Sequence, residues 1–544
     1  MTWLLRDFDL LGLLLRALSL SLEALAVGGV MFLWLVATPS RMELPERAIL
    51  RKFTSWFALL LALVQILATA VNCVTLMNSG LRLHDIASMN FFWADCVFVA
   101  AALILFCILR FANGSLVPAL IVALIAIGAS VMLSHAVSQL EHRRVLLALT
   151  AVHHLGAAAW IGAMPSLLVS LRASKSASKA HALAAMFSKM SIAGVTLIIL
   201  AGVGLSCFYV GSWQALYGTS YGVLLIAKIY IFLLALLLGA SNYFLVRRTR
   251  NDATPVLTRL RRFSEVEIGL IFIAIIAAAS MTAQAPARDL TGQWLTGHAI
   301  AERMKLEWPT LHTPALAQLA PQIPMKVALQ RAAFEEGSDN DAMDTAWSEY
   351  NHHWAGLIVL AAGLFALLAR FRKQRWAGNW PLLFLALALF IVIRGDPETW
   401  PLGPWPFWGS FAEPEVLEHR LFAALIAAFA VFEWAIETGK LRWKWAALVF
   451  PAICATGGAL LLMHMHNFGE DTQNQVLVTM SHTGIAVLGI TAGCSRWLQI
   501  RSTDPKYSQI GGWVWPVCFI LVGVLLLDYR EAVAVLAYSA VPPF

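Results

Sequence analysis

The sequence predicts an all-α protein, a polytopic transmembrane helical bundle of about 14 helices arranged as eight plus six. Three observations predict it. Hydrophobic residues make up 59% of the 544, and charged residues only 13%. Soluble domains carry about 25% charged residues, so no water-facing surface of this size can be built from this chain. The apolar residues also gather in runs of about 17–25, the length that crosses the hydrocarbon of a bilayer. Mean hydropathy is +0.72, as expected where lipid is the solvent.

In chain order the first eight runs are 10–36, 53–77, 90–110, 116–138, 145–171, 185–209, 220–246 and 263–283. Six more follow at 352–371, 380–394, 416–437, 443–463, 475–498 and 511–528. The residues before the first run hold Arg6, Asp7 and Asp9 and no small-residue cleavage site, so the first helix is expected to be retained rather than removed as a signal. Residues 285–351 form the one long connection. It is Pro-rich at its start, and its acidic stretch contains Glu335, Glu336, Asp339, Asp341 and Asp344, so it reads as an external linker. The domains expected are therefore an eight-helix block at 1–284, the linker, and a six-helix block at 352–544. Residues 395–415, with Trp400, Trp405, Trp408 and several prolines, read as an interfacial aromatic segment.

Alternate connections carry the positive charge. The clusters are Arg41, Arg47, Arg51 and Lys52; Arg172, Lys175 and Lys179; and Arg247, Arg248, Arg250, Arg259, Arg261 and Arg262. They continue with Arg370, Arg372, Lys373 and Arg375, then Lys440, Arg442 and Lys444, then Arg496, Arg501 and Lys506. The positive-inside rule makes these connections cytoplasmic and both termini external. The net charge of +7 comes from these clusters, so nucleic acid is excluded as a partner and lipid is the expected surroundings. Seven cysteines sit inside apolar runs without CxxC spacing and read as buried thiols.

On this topology 13 of the 14 histidines fall in external connections or the outer part of a helix, and only His181 lies inside. An imidazole on an apolar helix needs a partner to offset its desolvation, and a collection at one depth points to a shared ligand. Imidazole with thioether suits copper, and soft methionine favours Cu(I) over Cu(II) or hard cations. The sharpest local signal is Met463-His464-Met465-His466. Residues i and i+2 face apart on a helix, so the two histidines converge only if the helix ends between them, and Asn467-Phe468-Gly469 supplies such an ending. His482, His419 and His353 open neighbouring helices from the same side. In the first block His135 is predicted to end the fourth helix, and His153 and His154 lie in the fifth. At 1.5 Å per residue His135 is about 6 Å and His153 about 13 Å from the outer end, which favours two stacked sites or a pathway inward. Adjacent His153 and His154 point about 100° apart, so one of the two is the expected ligand.

Charges inside spans are costly and functional by default. Glu23 lies near the middle of the first helix and Lys228 about 12 Å into the seventh, and either they pair or Glu23 accepts a cation or proton. Asp95, Glu267, Glu433 and Glu437 are expected nearer helix ends.

Residues 187–286 resemble the CopD copper-resistance family: Phe187-Ser188, Gly202, YGVLLIAK at 221–228, Asn242, RRFSEVE at 261–267 and Pro286. Ser134-His135-Ala136 and the HHLGAAAWIGAMPSL run at 153–167 extend the resemblance over about residues 1–290. It implies an eight-helix bacterial inner-membrane module that handles copper, commonly with a periplasmic CopC-like copper-binding partner. His135, His153, Trp160, Tyr221, Lys228 and Glu267 stand at positions of the family-like pattern. The six further helices, with the Met463–His466 segment, depart from the short family form.

The reading that follows is a copper-binding membrane protein, not an enzyme, that accepts copper from the outer side and transports it. No GxxxxGK[ST] phosphate loop is present, so passive or ion-coupled movement is expected. A b-type haem or quinone redox protein is the alternative, with His353, His419 and His482 as facing axial ligands. A membrane copper sensor or storage partner is a third.

Overall fold

The computed structural model describes residues 2–40, 42–112, 114–174, 177–248, 254–290, 294–314, 342–371, 375–443, 445–463 and 472–530. Among these the chain is helical without a strand, and one isolated bridge joins Thr399 to Trp405. Among the described residues twelve helices are long and apolar enough to cross a membrane. Two shorter apolar helices, Val117–Val131 and Ala446–Leu461, fall on the fourth and twelfth predicted runs. The protein is an all-α polytopic bundle, as its composition requires.

The chain divides into two compact units, one of Leu4–Leu216 with Leu224–Leu290 and one of Met1–Trp3, Tyr217–Val223 and Thr291–Phe544. The first holds α1 (Thr2–Phe32), α2 (Leu44–Asn78), the short α3 (Leu83–Ala87), α4 (Asn90–Phe111), α5 (Val117–Val131), α6 (Arg143–Ala157), α7 (Met164–Ala173), α8 (Ala177–Tyr209) and α9 (Trp213–Tyr217). It also holds α10 (Ser220–Arg248) from Leu224 onward and α11 (Thr254–Thr282). Prolines stand in the first turn of α2, α5 and α7, where the missing N–H is no loss. Helices α2, α4 and α5 pack in sequence, and α6 packs along α8. Leu61, Ala62, Phe98, Ala101, Ala102 and Ala126 form the core between α2, α4 and α5.

Two π-helical turns interrupt the spans, Leu33–Ala37 after α1 and Ala158–Gly162 between α6 and α7. Such turns recur at functional sites because they re-aim the residues around them. Here the second turn lets two backbones touch. A Cβ added at Gly162 would stand 1.6 Å from the Ala24 carbonyl oxygen, and one at Gly28 would stand 2.3 Å from the Ala158 oxygen. Small residues at membrane helix crossings permit this approach, and it sets the α1 face carrying Glu23 against α6.

The second unit contains α12 (Gly297–Arg303), α13 (Ala342–Leu368), α14 (Leu383–Arg394), α15 (Pro414–Glu437), α16 (Val449–Leu461), α17 (Thr472–Arg501) and α18 (Pro505–Leu527). Trp380, Phe384, Phe450 and Trp515 centre its core. Helix α13 starts at Ala342, ten residues before the predicted 352, because its first turns are polar and carry no apolar run. Residues 395–415 fold back as a cap on α15. The buried Arg420 guanidinium donates to the Val392 and Trp400 carbonyls and to Thr399 Oγ1. Trp400 and Trp408 are exposed.

Candidate intramembrane site

Arg16, Ser19 and Glu23 are spaced i, i+3, i+7 on α1 and therefore share one face. All of that face is turned inward. Glu23, 3% exposed, accepts from Ser130 Oγ of α5 at 2.6 Å and meets His154 Nδ1 of α6 at 3.0 Å. A carboxylate only accepts, which puts the imidazole proton on Nδ1. His154 Nε2 makes no hydrogen bond among the described residues, so it is left with its lone pair available. Ser19 Oγ donates to Gln65 Oε1 at 2.6 Å, and Gln65 Nε2 donates to Asp95 Oδ1 at 2.6 Å. Arg16 lies within electrostatic reach of both Glu23 and Asp95. Four helices, α1, α2, α4 and α5, are thus joined to α6 by one buried polar ladder.

His153 points elsewhere, as the angular step predicts. Its ring faces Gly202 of α8, where an added Cβ would stand 3.7 Å from Cε1, and its buried Nδ1 has no hydrogen-bond partner among the described residues. Lys228 is within electrostatic reach of His153 and makes no ion pair among the described residues, so Glu23 is bonded to His154 and Ser130 rather than to Lys228. His135 stands beyond α5, which ends at Val131 rather than near 138, and opens the 3₁₀ turn His135–Val137. Its Nε2 meets the Thr282 carbonyl at 2.8 Å. A polar cavity of about 470 Å³ follows, lined by Glu141, His142, Tyr209, Arg288 and Asp289 among others.

In the second unit the predicted ligands His353, His482 and His419 each meet another protein group. Both ring nitrogens of His353 are taken: Nδ1 by the Thr310 backbone at 2.9 and 3.1 Å, and Nε2 by the Tyr529 carbonyl at 2.8 Å. His482 Nδ1 meets the Val478 carbonyl of its own helix at 3.1 Å. His419 Nδ1 lies 2.6 Å from Asp396 Oδ1, the same carboxylate–imidazole arrangement as Glu23–His154. Met463 is buried just past the end of α16, whose last residue is Leu461, so the helix stops before His464 rather than between His464 and His466. His464, Met465 and His466 lie outside the described residues. No three His, Cys, Asp or Glu converge as a metal cluster among the described residues.

Several polar residues given little or no weight in the sequence prove central. Asp95, Glu267 and Glu433 are each 2% exposed or less rather than near water. Glu267 accepts from Trp160 Nε1 at 3.0 Å and Asn242 Nδ2 at 3.3 Å. Arg16 and Ser130 carried no earlier expectation. The i, i+3, i+7 spacing of Arg16 with Ser19 and Glu23 was the signal for the first; Ser130 had none.

These features define a multi-pass helical membrane protein with carboxylates, amides and imidazoles buried inside its spans. Residues 181–281 match the family described as Copper resistance protein D, so this segment is similar to that family. Lys228, Asn242 and Glu267 fall inside the matched segment; Glu23, His135, His153, His154 and Trp160 precede it. No curated protein and no solved structure matches the chain.

Proposed function

We propose that this protein takes up copper from the periplasmic side of the bacterial inner membrane and passes it into the bilayer, with His154 as the intramembrane ligand and Glu23 as the carboxylate that orients it. One observation carries the reading: the 3.0 Å contact between His154 Nδ1 and Glu23, which leaves Nε2 as the donor atom. Metal-binding histidines characteristically give their other ring N–H to a carboxylate, which fixes the tautomer and raises ligand basicity. A neutral imidazole lone pair suits cuprous ion. His153, with its own unsatisfied Nδ1, stands next on the same helix as a second donor, and His135 lies toward the polar cavity at 138–142 and 286–289 as the approach.

The second unit carries the analogous pair His419–Asp396 and the segment Met463–His466, which we assign to copper capture, with a CopC-like protein as donor. The residue boundaries 1–284, 285–351 and 352–544 serve as the functional division, with both termini on the periplasmic side. The haem reading loses its support at His353, whose two ring nitrogens are both engaged by backbone. The test is copper entry into proteoliposomes holding the purified protein. Wild type is expected to load cuprous ion and His154→Ala to lose it; equal uptake by the two would overturn the assignment.

A further inference from the structure

A cavity of about 270 Å³, partly within the CopD-matched segment, is lined by Trp160, Ser191, Asn242, Ser264 and Glu267, among apolar walls from α7, α8, α10 and α11. Its chemistry differs from that of the histidine sites. No His or Cys lines it, Met164 is its single sulfur, and its polar atoms are oxygens of carboxyl, amide and hydroxyl groups together with Trp160 N–H and the Asn242 amide nitrogen. Glu267 is 2% exposed and Asn242 is 6% exposed. The Asn242 amide nitrogen is given to Glu267, which leaves Oδ1 buried without a partner among the described residues; the Ser191 hydroxyl is likewise unpartnered. Gly239 makes room for the carboxyl, because an added Cβ there would press on Glu267 Oε1 at 3.0 Å.

No cationic side chain balances Glu267 among the described residues. The neighbouring charges are turned to other partners: Arg262 to Glu265, Arg259 to Ser241 Oγ, Arg261 to the Leu171 carbonyl, and His181 to the Val246 carbonyl. Lys228 is within reach of His153. Tyr243 is the other titratable group lining the cavity. A lone carboxylate inside a membrane is too costly to persist without a cation, and two further unpartnered oxygens, Asn242 Oδ1 and Ser191 Oγ, belong to residues lining the same cavity.

We infer that Glu267, Asn242 and Ser191 form a second site, separate from copper, that takes a hard oxygen-seeking cation, either a proton carried on Glu267 or a sodium ion. Oxygen donors select hard cations, as thioether and thiolate select soft ones. That this cation is the one coupled to copper movement rests on the transport reading above; its binding does not.

The experiment therefore uses no copper. The purified full chain in detergent is treated with dicyclohexylcarbodiimide, which attacks protonated carboxyl groups in apolar surroundings, and the adduct is located by mass spectrometry. Infrared difference spectra of wild type against Glu267→Gln read the same carboxyl without any need for reagent access. The expected result is an adduct on Glu267 and a protonated-carboxyl band that the variant lacks. Loss of both as sodium is added at fixed pH identifies sodium; loss only as pH is raised identifies the proton. If Glu267 neither labels nor contributes a band that pH or sodium changes, the site is overturned. Copper binding, measured separately on the same preparation, reports on the histidine assignment independently.

Discussion

Glu23→Gln is the substitution that interrogates the His154 geometry most sharply. It keeps the shape of the side chain and removes its charge. Ser130 Oγ, 2.6 Å from Oε2, can still donate to the amide oxygen. The amide nitrogen then faces His154 Nδ1 at the position where Oε1 accepted at 3.0 Å. Two donors cannot share that contact, so the imidazole proton moves to Nε2 and blocks the lone pair that binds metal. A hydrogen bond to a charged group contributes about 1.5–3 kcal/mol, and losing the carboxylate behind a ligating histidine typically costs about 10–100-fold in metal affinity. At about 1.4 kcal/mol per decade these two figures agree. The assay is competition against a chromogenic cuprous chelator with wild type, Glu23→Gln, His154→Ala and the double variant. Glu23→Gln should weaken binding about 10–100-fold. The double variant should bind no more weakly than His154→Ala alone, because Glu23 acts through the imidazole. Wild-type affinity in folded Glu23→Gln, or a loss that adds in full to that of His154→Ala, would refute the reasoning.

Gly162→Ala forces a methyl group toward the Ala24 carbonyl at 1.6 Å, so it should cost about 1–3 kcal/mol or more of stability and lower copper affinity by displacing Glu23. Thermal unfolding in detergent reads this against Gly457→Ala, where nothing lies within 4 Å of the added carbon and little change is expected. His353→Ala removes bonds to the Thr310 and Tyr529 backbone and should destabilise the protein by about 1–3 kcal/mol, with copper stoichiometry unchanged. A variant that unfolds normally but binds less copper would make His353 a ligand after all.

The spans were legible because lipid imposes a length on apolar runs, and all fourteen runs correspond to apolar helices. Burial was legible for Glu23, which lies inside the protein on α1. Azimuth was not. Lys228 was the side chain expected to pair with Glu23, and the partner found is His154, because Gly28 and Gly162 draw α1 onto the π-helical turn at Ala158–Gly162. No apolar run announces a π-helical turn, since the composition on either side is the same. The histidines of the second unit show partners that the sequence does not name. His353 and His482 were read as ligands because imidazole in an apolar helix must be satisfied, and they are satisfied, by backbone carbonyls. Sequence shows that a polar group needs a partner and leaves open which one. Asp95, Glu267 and Glu433 were expected near water because they fall close to the ends of apolar runs, yet packing around them closes them off.

X-ray absorption at the copper edge on the cuprous-loaded protein, wild type beside His154→Ala, tests the central claim most directly. The account predicts an imidazole nitrogen in the wild-type copper shell, with its outer-ring scattering reduced in the variant and partly weakened in Glu23→Gln. An identical copper environment in wild type and His154→Ala, at equal metal content, would contradict it.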